Sequence, residues 1–257
     1  MDLGLNGRTV LVTAGSGDGV GSATARAFAA EGARVAITYH TRPEAARAVA
    51  RDIETLGGEA LVLPYALGDL ASVEAAVETV LDRWGSLDAL VANATYGPVL
   101  APGPFEEVPP AAWQPKMRSD IGGTYRTTQL AVAAMRKTGW GRIVYVSSTG
   151  WVSGRAGRTA YQPAMATTKA ALHGLARSLA VELGRDGILV NVVSPGAIDG
   201  SRLRARLGDQ AVKGLAEASA TGRISRPEDV AAAIVFLCST ANQNITGIDL
   251  PVDGASR

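Results

Sequence analysis

The strongest constraint on the fold is a regular alternation of short apolar runs with longer segments of helical periodicity. Each apolar run has the length of a strand, and most runs are apolar at every position, which is typical of strands covered on both faces. The predicted strands are Thr9–Thr13, Arg34–Tyr39, Ala60–Pro64, Ala89–Ala92, Arg142–Ser147, Leu189–Val193 and Ile248–Pro251. The predicted helices are Val20–Glu31, Pro43–Leu56, Ser72–Trp84, Thr124–Met135, Thr167–Leu183 and Pro227–Leu237. Strands that alternate with helices imply right-handed crossovers, so the sequence predicts an α/β fold. It consists of one doubly wound parallel sheet of about seven strands, with helices on both faces.

Two segments interrupt this alternation. Ala101–Pro115 contains five prolines and is predicted to be an ordered loop beside the sheet. Ser201–Thr221 is polar and carries three arginines, which is typical of a mobile lid over a substrate and equally of a solvated surface helix. We therefore expect a single domain over residues 1–257, with a substrate lid near residues 200–222.

Composition excludes several classes of function. The net charge is only +1, so charge gives no case for nucleic acid or an anionic membrane as a partner. No stretch approaches the roughly 20 apolar residues of a membrane helix, and the first residues do not resemble a signal peptide. The one cysteine, Cys238, favours a reducing cytoplasm, and the two histidines, His40 and His173, form no metal-ligand motif.

The connection between the first strand and the first helix is rich in glycine. Its pattern is Gly15-x-x-x-Gly19-x-Gly21. Glycine permits a tight turn and a close approach of the backbone to a pyrophosphate, and the N–H groups at the start of the helix favour an anion. The position between strand and helix predicts a dinucleotide-binding Rossmann fold, with a small-molecule substrate. The expected binding residues in this turn are Gly15, Ser16, Asp18, Gly19, Val20 and Gly21.

The end of the second strand indicates which dinucleotide binds. An acidic residue there usually holds the ribose 2′-hydroxyl of NAD, but this strand ends Tyr39-His40-Thr41-Arg42. Arg42 is suited to pair with a 2′-phosphate, whereas Asp18 would repel that phosphate. The sequence favours NADP(H) over NAD(H).

Motifs along nearly the whole chain resemble those of the short-chain dehydrogenase/reductase family. The glycine turn has the family spacing. The other matching segments are Val91–Thr95, Arg142–Ser148, Lys169–Leu183, Val190–Ile198, Arg226–Ala231 and Thr246–Gly254. The resemblance implies that Asn93, Lys169, Pro195, Gly196 and Ile198 contact the cofactor. It also implies a homotetramer or dimer built on the helices that carry Gly123–Met135 and Lys169–Leu183.

In this family a tyrosine exchanges a proton with the substrate oxygen, a lysine lowers the pKa of that tyrosine, and a serine hydrogen-bonds the substrate. Ser148 and Lys169 match the serine and the lysine. The usual tyrosine position, four residues before the lysine, is Met165. Tyr161 lies eight residues before Lys169, although it follows Ser148 by the usual 13 positions. Asp120 occupies the place of an asparagine that supports a proton-relay water.

Three interpretations of Tyr161 remain open. If the helix is lengthened at its start, Tyr161 lies one turn above the usual place, on the face of Met165 and Lys169. If Pro163 breaks that turn, Tyr161 enters the site from a loop. Otherwise Tyr161 is a surface or interface aromatic and Met165 fills a core gap. Enoyl-thioester reductases of the family also place the tyrosine further from the lysine, and they often carry methionine four residues before it.

Further departures from the family pattern are Ala66, which stands where an aspartate meets the adenine, Thr95 and Gly200. We therefore weigh three functions. The first is an NADP(H)-dependent oxidoreductase acting on a carbonyl, an alcohol or an activated alkene, with Ser148, Tyr161, Lys169 and Asp120 as catalytic residues. The second is a non-redox enzyme on the same fold, such as a cyclase, dehydratase or dehalogenase. The third is a dinucleotide-binding sensor.

Overall fold

A computed structural model describes residues 2–97, 105–150 and 161–256. Its centre is a seven-stranded parallel sheet with the strand order β3-β2-β1-β4-β5-β6-β7. The strands are β1 (Thr9–Val12), β2 (Arg34–Tyr39), β3 (Glu59–Pro64), β4 (Ala89–Ala92), β5 (Gly141–Val146), β6 (Ile188–Pro195) and β7 (Asp249–Val252). The order reverses between β1 and β4, so the predicted doubly wound Rossmann sheet is confirmed. A crevice opens at that reversal, beyond the carboxyl ends of the two strands.

Helices cover both faces of the sheet. Their bounds are α1 (Val20–Ala30), α2 (Pro43–Thr55), α3 (Leu70–Trp84), α4 (Pro110–Met117), α5 (Thr124–Thr138), α6 (Tyr161–Leu183), α7 (Ser201–Leu207), α8 (Asp209–Glu217) and α9 (Pro227–Leu237). Buried side chains of α3, α5 and α6 form one core with the sheet, and those of α1, α2 and α9 form a second core on the other face. Because successive strand residues point to opposite faces, Leu90 lies in the first core and Val91 in the second.

The proline-rich segment differs from its prediction. We expected a loop over Ala101–Pro115, but a short 3-10 helix spans Phe105–Glu107 and α4 begins at Pro110. A proline is suited to the first turn of a helix because its missing N–H needs no intrahelical partner there. A π-helix, Arg118–Gly123, then joins α4 directly to α5. Residues 101–104 of the predicted loop lie outside the described part.

The expected lid segment folds as two short helices, α7 and α8. The Ser201 hydroxyl, at the start of α7, donates a hydrogen bond of 2.6 Å to the Asp18 carboxylate in the glycine turn. The segment therefore begins in contact with the turn after β1, across the crevice. No helix in the described ranges is long and apolar enough to span a membrane.

Charged and aromatic side chains cluster at the amino-terminal end of the sheet, opposite the crevice. The Arg8 and Arg142 guanidinium groups lie 4.0 and 4.4 Å from the ring centre of Trp140. Arg8 also forms an ion pair of 3.1 Å with the buried Asp88. This cluster ties β5 to the segments that precede β1 and β4.

Candidate active site

The glycine turn is held tightly against its neighbours. Gly15 donates its N–H to the Thr38 carbonyl at 3.0 Å. A Cβ added to Gly21 would lie 2.7 Å from Asn93 Nδ2 and would also overlap the Ala14 carbonyl oxygen. A Cβ added to Gly19 would have no atom of the described residues within 4 Å. Gly21 therefore serves packing, whereas the described residues leave space beside Gly19.

Asn93 supports this turn from the neighbouring strand. Its Nδ2 group donates to the carbonyl oxygens of Thr13 and Ala14 at 3.1 and 3.2 Å. Its own N–H is bound by the Thr13 hydroxyl at 2.9 Å. Asn93, predicted as a cofactor ligand, therefore shapes the turn through these bonds.

The turn and the open amino end of α1 fit a dinucleotide. Gly19 precedes α1 without a side-chain cap, so the first N–H groups of the helix receive no side-chain hydrogen bond from it. Beside the turn lies a cavity of about 390 Å³, lined by residues that include Tyr39, Ala66, Leu67 and Arg118. An apolar cavity next to a helix amino terminus suits an adenosine group and its phosphates.

Arg42 lies against the turn, as its predicted role requires. A Cβ added to Gly17 would be 3.4 Å from one Arg42 guanidinium nitrogen. Asp18 lies in the same turn and accepts the hydrogen bond from Ser201. A cation and a carboxylate thus both border the place where a ribose substituent would lie.

Ser148 and Lys169 both lie near the carboxyl end of β5. Ser148 follows the strand in sequence, and Lys169 contacts it from α6. The Lys169 ammonium donates to the Val146 carbonyl oxygen at 2.7 Å. Burial of this ammonium lowers the pKa of Lys169 from 10.5 to about 8; the Asp120 charge opposes that shift and the Lys116 charge adds to it. The Ser148 hydroxyl, two residues after Val146, accepts the Gly150 N–H at 3.2 Å.

Tyr161 is the first residue of α6, and Pro163 lies in the first turn of the helix. The alternative in which Pro163 breaks this turn is therefore wrong, because a proline in a first turn interrupts no intrahelical hydrogen bond. The Tyr161 side chain itself lies outside the described atoms. The Met165 methyl group and Ser148 Oγ converge on Gly150, at 3.6 and 3.3 Å from the position of an added Cβ.

Pro195, Gly196 and Ile198 follow one another at the carboxyl end of β6. The Pro195 carbonyl accepts the Thr149 N–H at 2.9 Å, which joins this turn to the residue after Ser148. A Cβ added to Gly196 would lie 2.7 Å from the Asp253 Cβ, and Ile198 pairs with Ser225. These three predicted cofactor residues therefore border the same end of the sheet as the glycine turn.

Asp120 lies in the π-helix and is buried in a polar cluster that sequence reasoning missed. The Lys116 ammonium, which is 1% exposed, lies 2.7 Å from an Asp120 carboxylate oxygen. Thr95 and Tyr96 complete the cluster. The lysine precedes the aspartate by four positions, a spacing that can pair charges on a helix and was visible in the sequence.

His173 has a separate environment. Its Nε2 lies 2.9 Å from the Ser147 hydroxyl, and its Nδ1 lies 3.9 Å from the Asp249 carboxylate. Burial lowers the pKa of His173. Ser147 is buried and His173 is partly buried, so this pair lies at the end of β5 with little exposure to solvent.

Comparison with known proteins identifies the family. Residues 14–255 match a family model described as enoyl-(acyl carrier protein) reductase. The chain is 34% identical over 262 residues to the short-chain reductase protein NovJ of Streptomyces niveus, covering 98% of this chain and 95% of the relative. The chain belongs to the short-chain dehydrogenase/reductase family.

Other members of this family support an oxidoreductase that uses a nicotinamide dinucleotide. An L-rhamnose 1-dehydrogenase (NAD(P)(+)) of a Sphingomonas species is 36% identical, over 97% of this chain and 96% of the relative. A solved 7α-hydroxysteroid dehydrogenase, complexed with NADH and 7-oxo glycochenodeoxycholic acid, has a TM-score of 0.89 and 28% identity. That likeness covers 99% of this chain and 96% of the solved chain. These relatives are hydride-transferring dehydrogenases and reductases, and this chain is an enzyme of the same family.

Proposed function

We propose that this protein is an NADP(H)-dependent oxidoreductase that moves a hydride to or from a carbonyl, an alcohol or an activated alkene. The observation that carries this proposal is the position of Lys169 and Ser148 at the carboxyl end of β5, on the same edge of the sheet as the glycine turn. When bound, a reduced nicotinamide supplies two electrons and a hydrogen nucleus to the substrate carbon. The protein must then supply one proton to the substrate oxygen or to the neighbouring alkene carbon.

Each predicted site residue would serve either proton transfer or cofactor binding. The Ser148 hydroxyl would donate to the substrate oxygen and orient it. Tyr161 would give the proton, and the charge of Lys169 would lower the pKa of its hydroxyl. The turn residues from Gly15 to Gly21 would hold the pyrophosphate, and Arg42 the 2′-phosphate.

The first test removes the hydroxyl of Tyr161. We expect Tyr161→Phe to lower kcat by about 10²- to 10⁴-fold, since that is the usual contribution of a positioned general acid. The reaction is followed by NADPH absorbance with ketones, aldehydes and enoyl thioesters as substrates. The matched control is Tyr125→Phe, which removes a half-exposed hydroxyl from α5 and should leave kcat unchanged.

A second candidate function rests on Met165. Its methyl group and the Ser148 hydroxyl both border Gly150, so the residue at the usual tyrosine position has no proton to give. This favours a non-redox enzyme that retains the cofactor. If Tyr161→Phe and Tyr125→Phe are equally active, or substrate turns over with the NADPH absorbance unchanged, the proposed hydride transfer through Tyr161 is wrong.

The NADP(H) preference is tested at Arg42. We expect Arg42→Ala to weaken NADPH binding by about 10-fold or more and to leave NADH binding unchanged, because only NADPH carries the 2′-phosphate. Binding is read by quenching of protein fluorescence. Arg51→Ala, at an exposed arginine on α2, the helix that follows Arg42, is the control. Equal losses for both cofactors would contradict the assignment.

Assembly and location stay predictions from the sequence. We propose a homo-oligomer built on α5 and α6, a cytoplasmic location and a lid formed by α7 and α8. The first is supported by an apolar groove between those two helices. The second is supported by the single cysteine, Cys238, which is buried and free.

A further inference from the structure

Lys116 is a buried lysine on α4, a short helix that packs against α6, the helix that carries Lys169. Its ammonium nitrogen lies 2.7 Å from Asp120 Oδ2, 3.2 Å from Thr95 Oγ1 and 3.1 Å from the Tyr96 carbonyl oxygen. All three acceptors lie in the loop after β4 or in the π-helix. Lys116 therefore joins the carboxyl end of β4 to the helical segment that carries Asp120.

Asp120 is held from several sides. Its Oδ1 accepts the Tyr96 N–H at 2.5 Å, and its Oδ2 accepts the Thr95 hydroxyl at 3.0 Å as well as the Lys116 ammonium. The residue is 6% exposed. These bonds determine the orientation of the carboxylate.

This ion pair is costly to maintain. Removing two charges from water carries a desolvation penalty of several kcal/mol per ion, and apolar residues of similar volume often stabilise a protein at least as well. Packing alone would thus be served by two neutral side chains. The presence of this ion pair is therefore not explained by stabilisation of the fold.

The packing of this ion pair against α6 indicates another role. Both α4 and the π-helix pack against α6, the helix that carries Lys169. Asp120 and Lys116 act on the Lys169 ammonium with opposite signs. The remaining titratable group on this part of α6 with described contacts is His173, which faces Ser147 and Asp249.

We propose that Lys116 is a positioning residue of the active site: it compensates and orients the Asp120 carboxylate, so that the pair fixes the charge state of Lys169. The inference rests on the proposed function insofar as Lys169 assists proton transfer. In the family pattern a neutral asparagine stands at position 120. Here an aspartate with its own buried cation takes that place.

The test measures the protonation of Lys169 directly in the protein without cofactor. Trace acetylation with acetic anhydride is followed by mass spectrometry across a pH series, with the exposed Lys137 as reference in the same digest. We expect Lys116→Met to raise the titration midpoint of Lys169 and Asp120→Asn to lower it. Each shift should be about one pH unit, a tenfold change in proton affinity.

The double variant Lys116→Met/Asp120→Asn allows the test to be made even if Lys116→Met alone does not fold. It buries no unpaired charge, so it should fold even if Lys116→Met leaves the Asp120 carboxylate uncompensated and fails to fold. Compared with Asp120→Asn alone, it removes one cation near Lys169 and should raise the midpoint of Lys169. Unchanged midpoints in all foldable variants, or single-variant shifts of the same sign, would overturn the proposal.

Activity is a separate readout. In variants that fold, the pH dependence of kcat should shift in the direction of the Lys169 midpoint. Because the labelling titration needs no turnover, shifted midpoints without NADPH oxidation would support the role of Lys116 and contradict only the proposed hydride transfer.

Discussion

At the scale of residues, Lys169 is a cation whose burial has an energetic cost. Within the described residues its ammonium donates one hydrogen bond, to the Val146 carbonyl, and burial removes it from water. Desolvation favours the neutral amine, and the pKa of Lys169 falls to about 8. Keeping a proton on this group at neutral pH therefore costs folding free energy.

Because of this cost, the contribution of Lys169 to the free energy of unfolding depends on pH. Between pH 8 and 10.5 the unfolded chain retains the Lys169 proton and the folded protein has lost it, so the Lys169 contribution to stability rises with pH. We expect Lys169→Met to be more stable than the wild type at pH 7, by up to about 3 kcal/mol before the lost hydrogen bond is counted.

The advantage of Lys169→Met should shrink toward pH 10. Urea denaturation at the two pH values measures it, with Lys137→Met, at an exposed lysine, as control. A difference in unfolding free energy that is the same at both pH values would contradict the lowered pKa of Lys169.

Local motifs predict some residues of the candidate site and not others. Ser148 and Lys169 are predicted from motifs in the segment after β5 and in α6, and the structure places both near the carboxyl end of β5. Lys116 was not predicted, because its four-residue spacing from Asp120 indicates an ion pair only on a helix, and the segment up to Pro115 was predicted to be a loop. Whether Tyr161 replaces the usual tyrosine stays a prediction.

At the scale of elements, the turn between β1 and α1 contains a tightly packed glycine, Gly21, and a glycine beside open space, Gly19. Gly21 is in contact with the Ala14 carbonyl and Asn93, whereas Gly19 faces open space. The same substitution at these two positions should therefore affect different properties.

We expect Gly21→Ala to lower the free energy of unfolding by about 1–3 kcal/mol, as overpacking does. Gly19→Ala should leave stability within about 0.5 kcal/mol and weaken NADPH binding by about tenfold or more, because a methyl group would occupy the space of the pyrophosphate. Urea denaturation and fluorescence titration measure the two effects. Wild-type affinity in Gly19→Ala would show that the dinucleotide does not approach this turn.

The prediction of elements was correct where the hydrophobic pattern determines the element, and it was wrong where the element depends on the position at which a helix begins. The strands β1 to β7 were all found, since each is an apolar run of strand length. The start of α6 was placed at Thr167, six residues late, because the segment before it has no clear apolar face. Helix α4 was predicted as a loop because Pro110 and Pro115 indicate turns unless the helix start is already known.

At the scale of the whole molecule, an apolar groove marks one face of the described structure. It lies between α5 and α6 and is lined by Ile121, Gly122, Tyr125, Ala171, Leu172 and Leu175. Ile121 and Tyr125 are 39% and 50% exposed. Exposed apolar side chains around a groove are typical of an interface.

We expect Tyr125→Glu to dissociate the proposed homo-oligomer, because the charge would be buried without a partner at the interface. Sedimentation velocity measures the assembly state. Leu56→Glu, at an apolar residue 82% exposed after α2, is the matched control and should leave the assembly intact. A wild-type monomer at micromolar concentrations would contradict the prediction.

The two ends of the sheet carry different sets of residues, a structural cluster at one end and the candidate site at the other. Trp140, between Arg8 and Arg142, lies at the amino-terminal end, while the glycine turn, Ser148 and Lys169 lie at the other. We expect substitutions around Trp140 to change the thermal stability of the protein and to leave the proposed cofactor and substrate groups in place. In directed selection, thermal stability and substrate preference should therefore respond to different positions of this chain.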